Sequence, residues 1–311
     1  MENNTNGIRL YGSSNLLSNN ICSNNNNYGI RLEGLNNTLD NNVCSNNFLF
    51  GIRLESSSNN TLSNNIVKNN YCAGIGLWNS DNATISNNIV ENNSDYGIHL
   101  FGVDNNGSDN NHIENNIVEN NGTGIYLEYS DYNLISNDIV RKNLYNGIRL
   151  DYSHNNIIEN NLVENNALGI QLYSSHNNPI SNNLVENNIE GIRLDCSNNN
   201  LISNNLAENN SGGIILGNYS DNNLVSNNIV ENNDGYGISL TYYTSNNTLS
   251  NNICSNNFGG IFLDRSENCV ILNNTVENNY YGINLGLGQQ PNLRQHSGEQ
   301  LLRRHPPPRL G

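Results

Sequence analysis

The tetrad Gly-Ile-x-Leu recurs at Gly7, Gly29, Gly51, Gly74, Gly97, Gly124, Gly147, Gly169, Gly191, Gly213, Gly237, Gly260 and Gly282, at intervals of 22 to 27 residues. A fixed period of roughly 20 to 50 residues marks a solenoid, in which one supersecondary unit stacks on the next. Equivalent residues then fall into columns along a rod. Function has to be sought in those columns.

One full unit, Gly147 to Asn166, reads GIRLDYSHNNIIENNLVENN. It holds three short strand-like stretches separated by Asn-rich corners. Apolar residues do not recur at i, i+3 and i+4, so helical repeats are disfavoured. The longer Leu-x-x-Leu-x-Leu frame of a leucine-rich repeat is missing. The pattern predicts an all-β fold: a single-stranded right-handed parallel β-helix of about 13 coils, each of about 22 residues. At ~4.8 Å per coil the rod would be roughly 60 Å long. Ile148 and Leu150 alternate with polar Arg149 and should point inward, as should Ile158 and Val163 on the other two strands. Asn161 and Asn166 fall at corners, where Asn tolerates left-handed backbone. Stacked Asn side chains can bond to the coils above and below. About a quarter of the chain is Asn, and corner placement accounts for that.

These GIxL…NN(I/L)xxNN(I/L)VxNN coils resemble the right-handed parallel β-helix repeats (PbH1-like) of NosD-type proteins. They also resemble the broader group of carbohydrate-binding and sugar-hydrolysing β-helices. Asn-rich versions are typical of archaeal and bacterial surface proteins. The resemblance covers residues 1 to about 286, and the matching residues are structural. It implies an extracellular, cell-surface or periplasmic location and a polysaccharide or glycan as partner. NosD is associated with copper-site maturation. With one Met and no Cys/His cluster, no copper site is carried over, and no cofactor is expected.

A net charge of −15 argues against nucleic acid, whose binding needs clustered Lys and Arg. No stretch of about 18 apolar residues exists, so no membrane span is expected. The sequence enters almost at once in mid-coil and shows no signal peptide. Neither end carries an obvious cap, although an uncovered coil is a sheet edge. The chain therefore reads as part of a longer protein, with further domains missing. Residues 1–288 form the predicted repeat domain. From about Gln289 the Asn corners and GIxL tetrads stop, and residues 289–311 read as a disordered or frameshifted tail.

The first strand has two outward columns: x of GIxL and the residue after Leu. Charges and aromatics mix there. Trp78, Phe101, Tyr126, Glu128, Arg149, Asp151 and Tyr173 are the candidate glycan-binding residues, because flat rings and carboxylates suit a sugar chain. A surface ladder of ion pairs would explain the charges equally, each pair worth about 0–1 kcal/mol. The third strand carries an acidic row, Glu91, Glu119, Glu164, Glu186, Glu208, Glu231 and Glu277, interrupted by Lys68 and Arg141. It reads as a solvated face. A corner column runs Asp81, Asp109, Asp131, His154, His176, Asn198, Asp221. His154 and His176 are weak metal candidates, since neutral imidazole is a common ligand. Of six cysteines, Cys22, Cys44 and Cys254 fall in the inward Val column. Cys72, Cys196 and Cys269 fall at corners or outward.

The coils are nearly uniform, whereas active sites break local rules. The one irregularity is an insertion between Phe101 and His112. It would bring Asp104, Asp109 and His112 near His99, a weak candidate catalytic set. The function expected is a non-catalytic scaffold or glycan-binding module. The alternatives are a polysaccharide lyase, epimerase or hydrolase using that insertion, and a NosD-like periplasmic metal-maturation factor.

Overall fold

The computed structural model describes residues 1–102, 106–286 and 292–294. They form a right-handed parallel β-helix with no helix. The first and second sheets each have thirteen strands and the third has twelve, so twelve coils are complete. Every strand pairs in parallel with its equivalent one coil away. Ile125, Ile148 and Ile170 are register partners in the first sheet, and Val140, Val163 and Val185 in the third. Coils are numbered here by their first-sheet strand. Coil 3 starts with Phe50–Glu55, coil 4 with Ala73–Trp78, coil 5 with Tyr96–Phe101, coil 6 with Thr123–Glu128, coil 7 with Asn146–Asp151 and coil 8 with Leu168–Tyr173.

The predicted inward columns are the core. Ile148, Leu150, Ile158 and Val163 are fully buried, as are their equivalents through most of the rod. The recurrent Gly has a packing cause. A Cβ on Gly147 would lie 2.5 Å from the Val163 Cγ1 and 2.7 Å from the Gly169 carbonyl oxygen. The first strand therefore starts against the inward Val of the third sheet, where no side chain fits.

The Asn-Asn pairs divide two tasks. The first Asn of each pair takes the left-handed turn: φ is +57° at Asn160 and +58° at Asn165. The second turns inward and builds a ladder. Asn161 Oδ1 accepts the Asp138 N–H at 2.9 Å, while Asn161 Nδ2 donates to Asn183 Oδ1 and to the Ile135 carbonyl, both at 3.0 Å. Corner polar groups that would otherwise be buried unpaired thus satisfy one another between coils. A buried serine ladder, from Ser57 through Ser130 and Ser153 to Ser220, fills the corner after the first strand in the same way.

Beyond residue 288, Asn292–Arg294 forms a second-sheet strand on Val270–Leu272. The remaining residues beyond 286 lie outside the described ones. Cys269 falls at a corner, where it is buried and takes the place of a ladder Asn. One expectation is corrected: the left-handed residues are Asn160 and Asn165, not Asn161 and Asn166, and at other corners Tyr129, Tyr132 and Tyr152 hold the same conformation, which is rare for bulky side chains.

Candidate functional site

The first sheet turns its outward face to solvent, and coils 2 to 7 gather a dense aromatic–charged cluster there. Strand pairing sets it up. Trp78 is the register partner of Phe101 and Glu55, and His99 that of Gly76 and Tyr126. Tyr126 is paired with Arg149, and Glu128 with Asp151. The seven candidate face residues therefore share one surface.

At its centre His99 lies nearly parallel to Phe101 and Tyr126, with ring centroids 4.3 and 4.8 Å away, and Tyr96 is tilted against it at 4.4 Å. Arg53 sits 4.8, 5.2 and 5.1 Å from the Phe50, Trp78 and Phe101 rings. A cation held over ring faces in this way is stabilised electrostatically. Gly76 makes room: a Cβ there would lie 2.4 Å from the Phe50 ring. On the other side Asp151 accepts from Tyr126 Oη at 3.0 Å and from Arg149 Nε and Nη2 at 2.9 and 2.7 Å. Arg31 links Glu33 and Glu55.

This packing sets the protonation states. Burial, reinforced by Arg53 and opposed by Glu128, lowers the His99 pKa, so the ring is neutral at pH 7. The His99 contact, aided by Arg149, lowers that of Glu128. Burial and then Asp151 push the Tyr126 hydroxyl far up, and burial does the same to Tyr96 more mildly. His99 Nε2 is enclosed, has no hydrogen-bond partner and lies 3.7 Å from Glu128 Oε2. A general base must reach the proton that it removes, and this imidazole is closed off by rings. Asp151 is held by three donors. The cluster offers flat surfaces and fixed charges more readily than a free acid or base. Trp78 and Phe101 remain half-buried.

The expected residues do not all serve alike. Trp78, Phe101 and Glu128 stand at the surface of the cluster. Tyr126 was expected as a stacking surface but is 8% exposed and bound through its hydroxyl. Tyr173 lies at the margin, 38% exposed and edge-on to Tyr152. Phe50, Arg53 and Tyr96 were missed as site residues. The signal was present: an aromatic precedes Gly-Ile at Tyr28, Phe50 and Tyr96.

The insertion does not gather its candidates. His99 is on the first sheet, and His112 faces outward on the second, between Thr84 and Leu134. Asp109 accepts the Asp131 N–H at 2.7 Å. Asp104 lies outside the described residues. The same backbone capture governs the corner column. His154 Nδ1 accepts the His176 N–H at 3.0 Å, and His176 Nδ1 accepts the Asn198 N–H at 2.9 Å. Both neutral rings must then carry their proton on Nε2, which leaves no nitrogen lone pair for a metal. Among the described residues no group of three or more His, Cys, Asp or Glu side chains is arranged to hold a metal ion.

The fold and face define a right-handed parallel β-helix repeat protein. Its sequence matches the family model described as "Right handed beta helix region" over residues 1–113 and 169–296, and the chain belongs to that family. Residues 74–193 also match the model described as "Periplasmic copper-binding protein (NosD)". The histidine geometry above does not fit a copper site. A search of curated proteins finds no match. Solved structures share the fold at low identity. The A-module of the Azotobacter vinelandii mannuronan C-5 epimerase AlgE4 is 15% identical with a TM-score of 0.65, over 89% of this chain and 85% of that one. The periplasmic alginate epimerase AlgG is 19% identical with a TM-score of 0.68, over 85% and 76%. The Dettilon tailspike protein is 16% identical with a TM-score of 0.66, over 82% and 62%.

Proposed function

We propose that the protein is a non-catalytic β-helix module that binds a polysaccharide along the outward face of its first sheet. The observation that carries this is the Trp78–Phe101 pair. Two in-register rings stand half-buried at the surface, backed by Arg53 and His99 and near Glu55 and Glu128. Sugar rings stack on such faces through their C–H surfaces, while flanking charged groups bond the hydroxyls. The similarity to structures named for mannuronan and alginate epimerases supports a glycan as the ligand class. We place the protein outside the cytoplasm, at a cell surface or in a periplasm, consistent with the periplasmic relatives. Among the described residues no helix is long and apolar enough to cross a membrane.

The test is a panel of soluble polysaccharides measured for binding and for turnover. Trp78→Ala with Phe101→Ala should weaken binding by more than about 1 kcal/mol, since each removes a stacking surface. Unchanged binding would move the site off this face.

A further inference from the structure

The third sheet carries a second organised surface, on a different side of the rod. Its strands have three residues, of which the first and third face outward. From Ile21 to Ile253 the first of these is Ile, Val or Leu in every coil. Strand pairing places them in one column, as Leu162, Leu184 and Leu206 show. At ~4.8 Å per coil the stripe is about 48 Å long. It keeps some exposed surface: Ile229 is 40% exposed, and Leu162, Leu184 and Leu206 are half-buried. A continuous apolar stripe of this length on a water-facing sheet marks an interaction site more often than chance.

The column beside it, about 6.6 Å away along each strand, is acidic. In coils 3 to 7 the acids are relieved by cations: Lys68 pairs with Glu91, and Arg141 with Glu119 and Glu164. From coil 8 onward Glu186, Glu208 and Glu231 follow one another with no cation between. Partial burial, and then the flanking Glu164 and Glu208, raise the Glu186 pKa. Over the same coils the corner beyond the acidic column sinks into an open depression lined by Asn187, Ile189, Asn209, Ser211 and Asp234. Apolar column, unrelieved acidic column and depression lie side by side.

We propose that this strip docks a basic amphipathic helix of a partner protein. Its apolar residues would rest on the Leu162–Leu184–Leu206–Ile229 column, and its Lys or Arg side chains would meet Glu186, Glu208, Glu231 and the Asp234 depression. The helical pitch of about 5.4 Å is close to the coil rise of about 4.8 Å, so successive turns meet successive coils. The charge decides between occupants. A second copy would set acidic row against acidic row, and anionic lipid or nucleic acid would be repelled.

The probe is a synthetic Leu/Lys amphipathic peptide about five helical turns long, with a Leu/Glu counterpart, titrated into the full chain. The Leu/Lys peptide should bind, with affinity falling as salt rises, and the Leu/Glu peptide should not. Glu186→Gln with Glu208→Gln, and separately Leu184→Thr with Leu206→Thr, should each weaken binding about tenfold or more. Glu114→Gln with Glu159→Gln, an equal charge change on the second sheet, should leave it within about twofold. Equal weakening by the control pair would show non-specific charge attraction and overturn the proposal. So would unchanged binding in both third-sheet variants. A dimer in sedimentation that is lost in the Leu184/Leu206 variant would also overturn it, by making a second copy the occupant. Circular dichroism and melting of each variant confirm that the fold is retained.

Discussion

Neighbouring asparagines that look identical in the sequence carry different duties. Asn160 supplies a left-handed turn, whereas Asn161 supplies ladder bonds. Asn160→Gly keeps the turn, since Gly adopts that backbone freely. Asn161→Ala strands the buried Asp138 N–H and Ile135 carbonyl, at about 1–3 kcal/mol each. The melting temperature of Asn161→Ala should be clearly lower than that of Asn160→Gly, and the opposite order would contradict the ladder. Asp138 is the one carboxylate among the ladder asparagines. Its Oδ1 accepts from Asn116, while its buried Oδ2 has no partner. Burial raises its pKa from 3.8 to about 7. The folded state thus holds a proton that the unfolded chain releases above about pH 4, so this group loses stability as pH rises from about 4 through 7. Asp138→Asn restores a donor. It should raise the melting temperature more at pH 8 than at pH 5, and an equal or smaller gain at pH 8 would refute this assignment.

At the scale of the corner, two histidines sit in a column where each side chain accepts the backbone N–H one coil on. The His154 and His176 rings are stacked 4.9 Å apart. Protonation turns the acceptor nitrogen into a donor facing another donor. Burial, and then His154, lower the His176 pKa below 6.5. The lowered pKa means that the contribution is present above about pH 6.5 and is lost as pH falls through the folded value. His154→Asn with His176→Asn, which copies Asn198, should flatten the fall in melting temperature between pH 7.5 and 5 relative to wild type. An unchanged slope would show that the corner does not sense pH. The sequence placed these residues in one column correctly, because the period fixes columns. It could not show that the backbone takes up their Nδ1 atoms, because that depends on which way the corner turns. The same limit explains Asp109 and His112, which are close in sequence but sent to a corner and to the second sheet.

At the scale of the molecule, the inward columns and the shared face of Trp78, Phe101 and Tyr126 were legible because spacing of about 22 residues brings them into register. The missing part of the cluster, Phe50 and Tyr96, was hidden by phasing. The strand begins one residue before Gly-Ile, so a third outward column went unread. The burial of Tyr126 was also illegible, since it needs Asp151 from the next coil and His99 from the previous one. The apolar column of the third sheet was in plain view in the sequence but sat one residue before the inward Val. The rod as a whole presents two organised surfaces on one uniform scaffold.

The most direct test of the central claim is polysaccharide titration of the full chain, with product analysis on the same samples. Binding without cleavage or epimerisation is predicted, reduced by Trp78→Ala with Phe101→Ala while the fold is retained. Turnover that disappears in His99→Gln would contradict the account and make this face an active site.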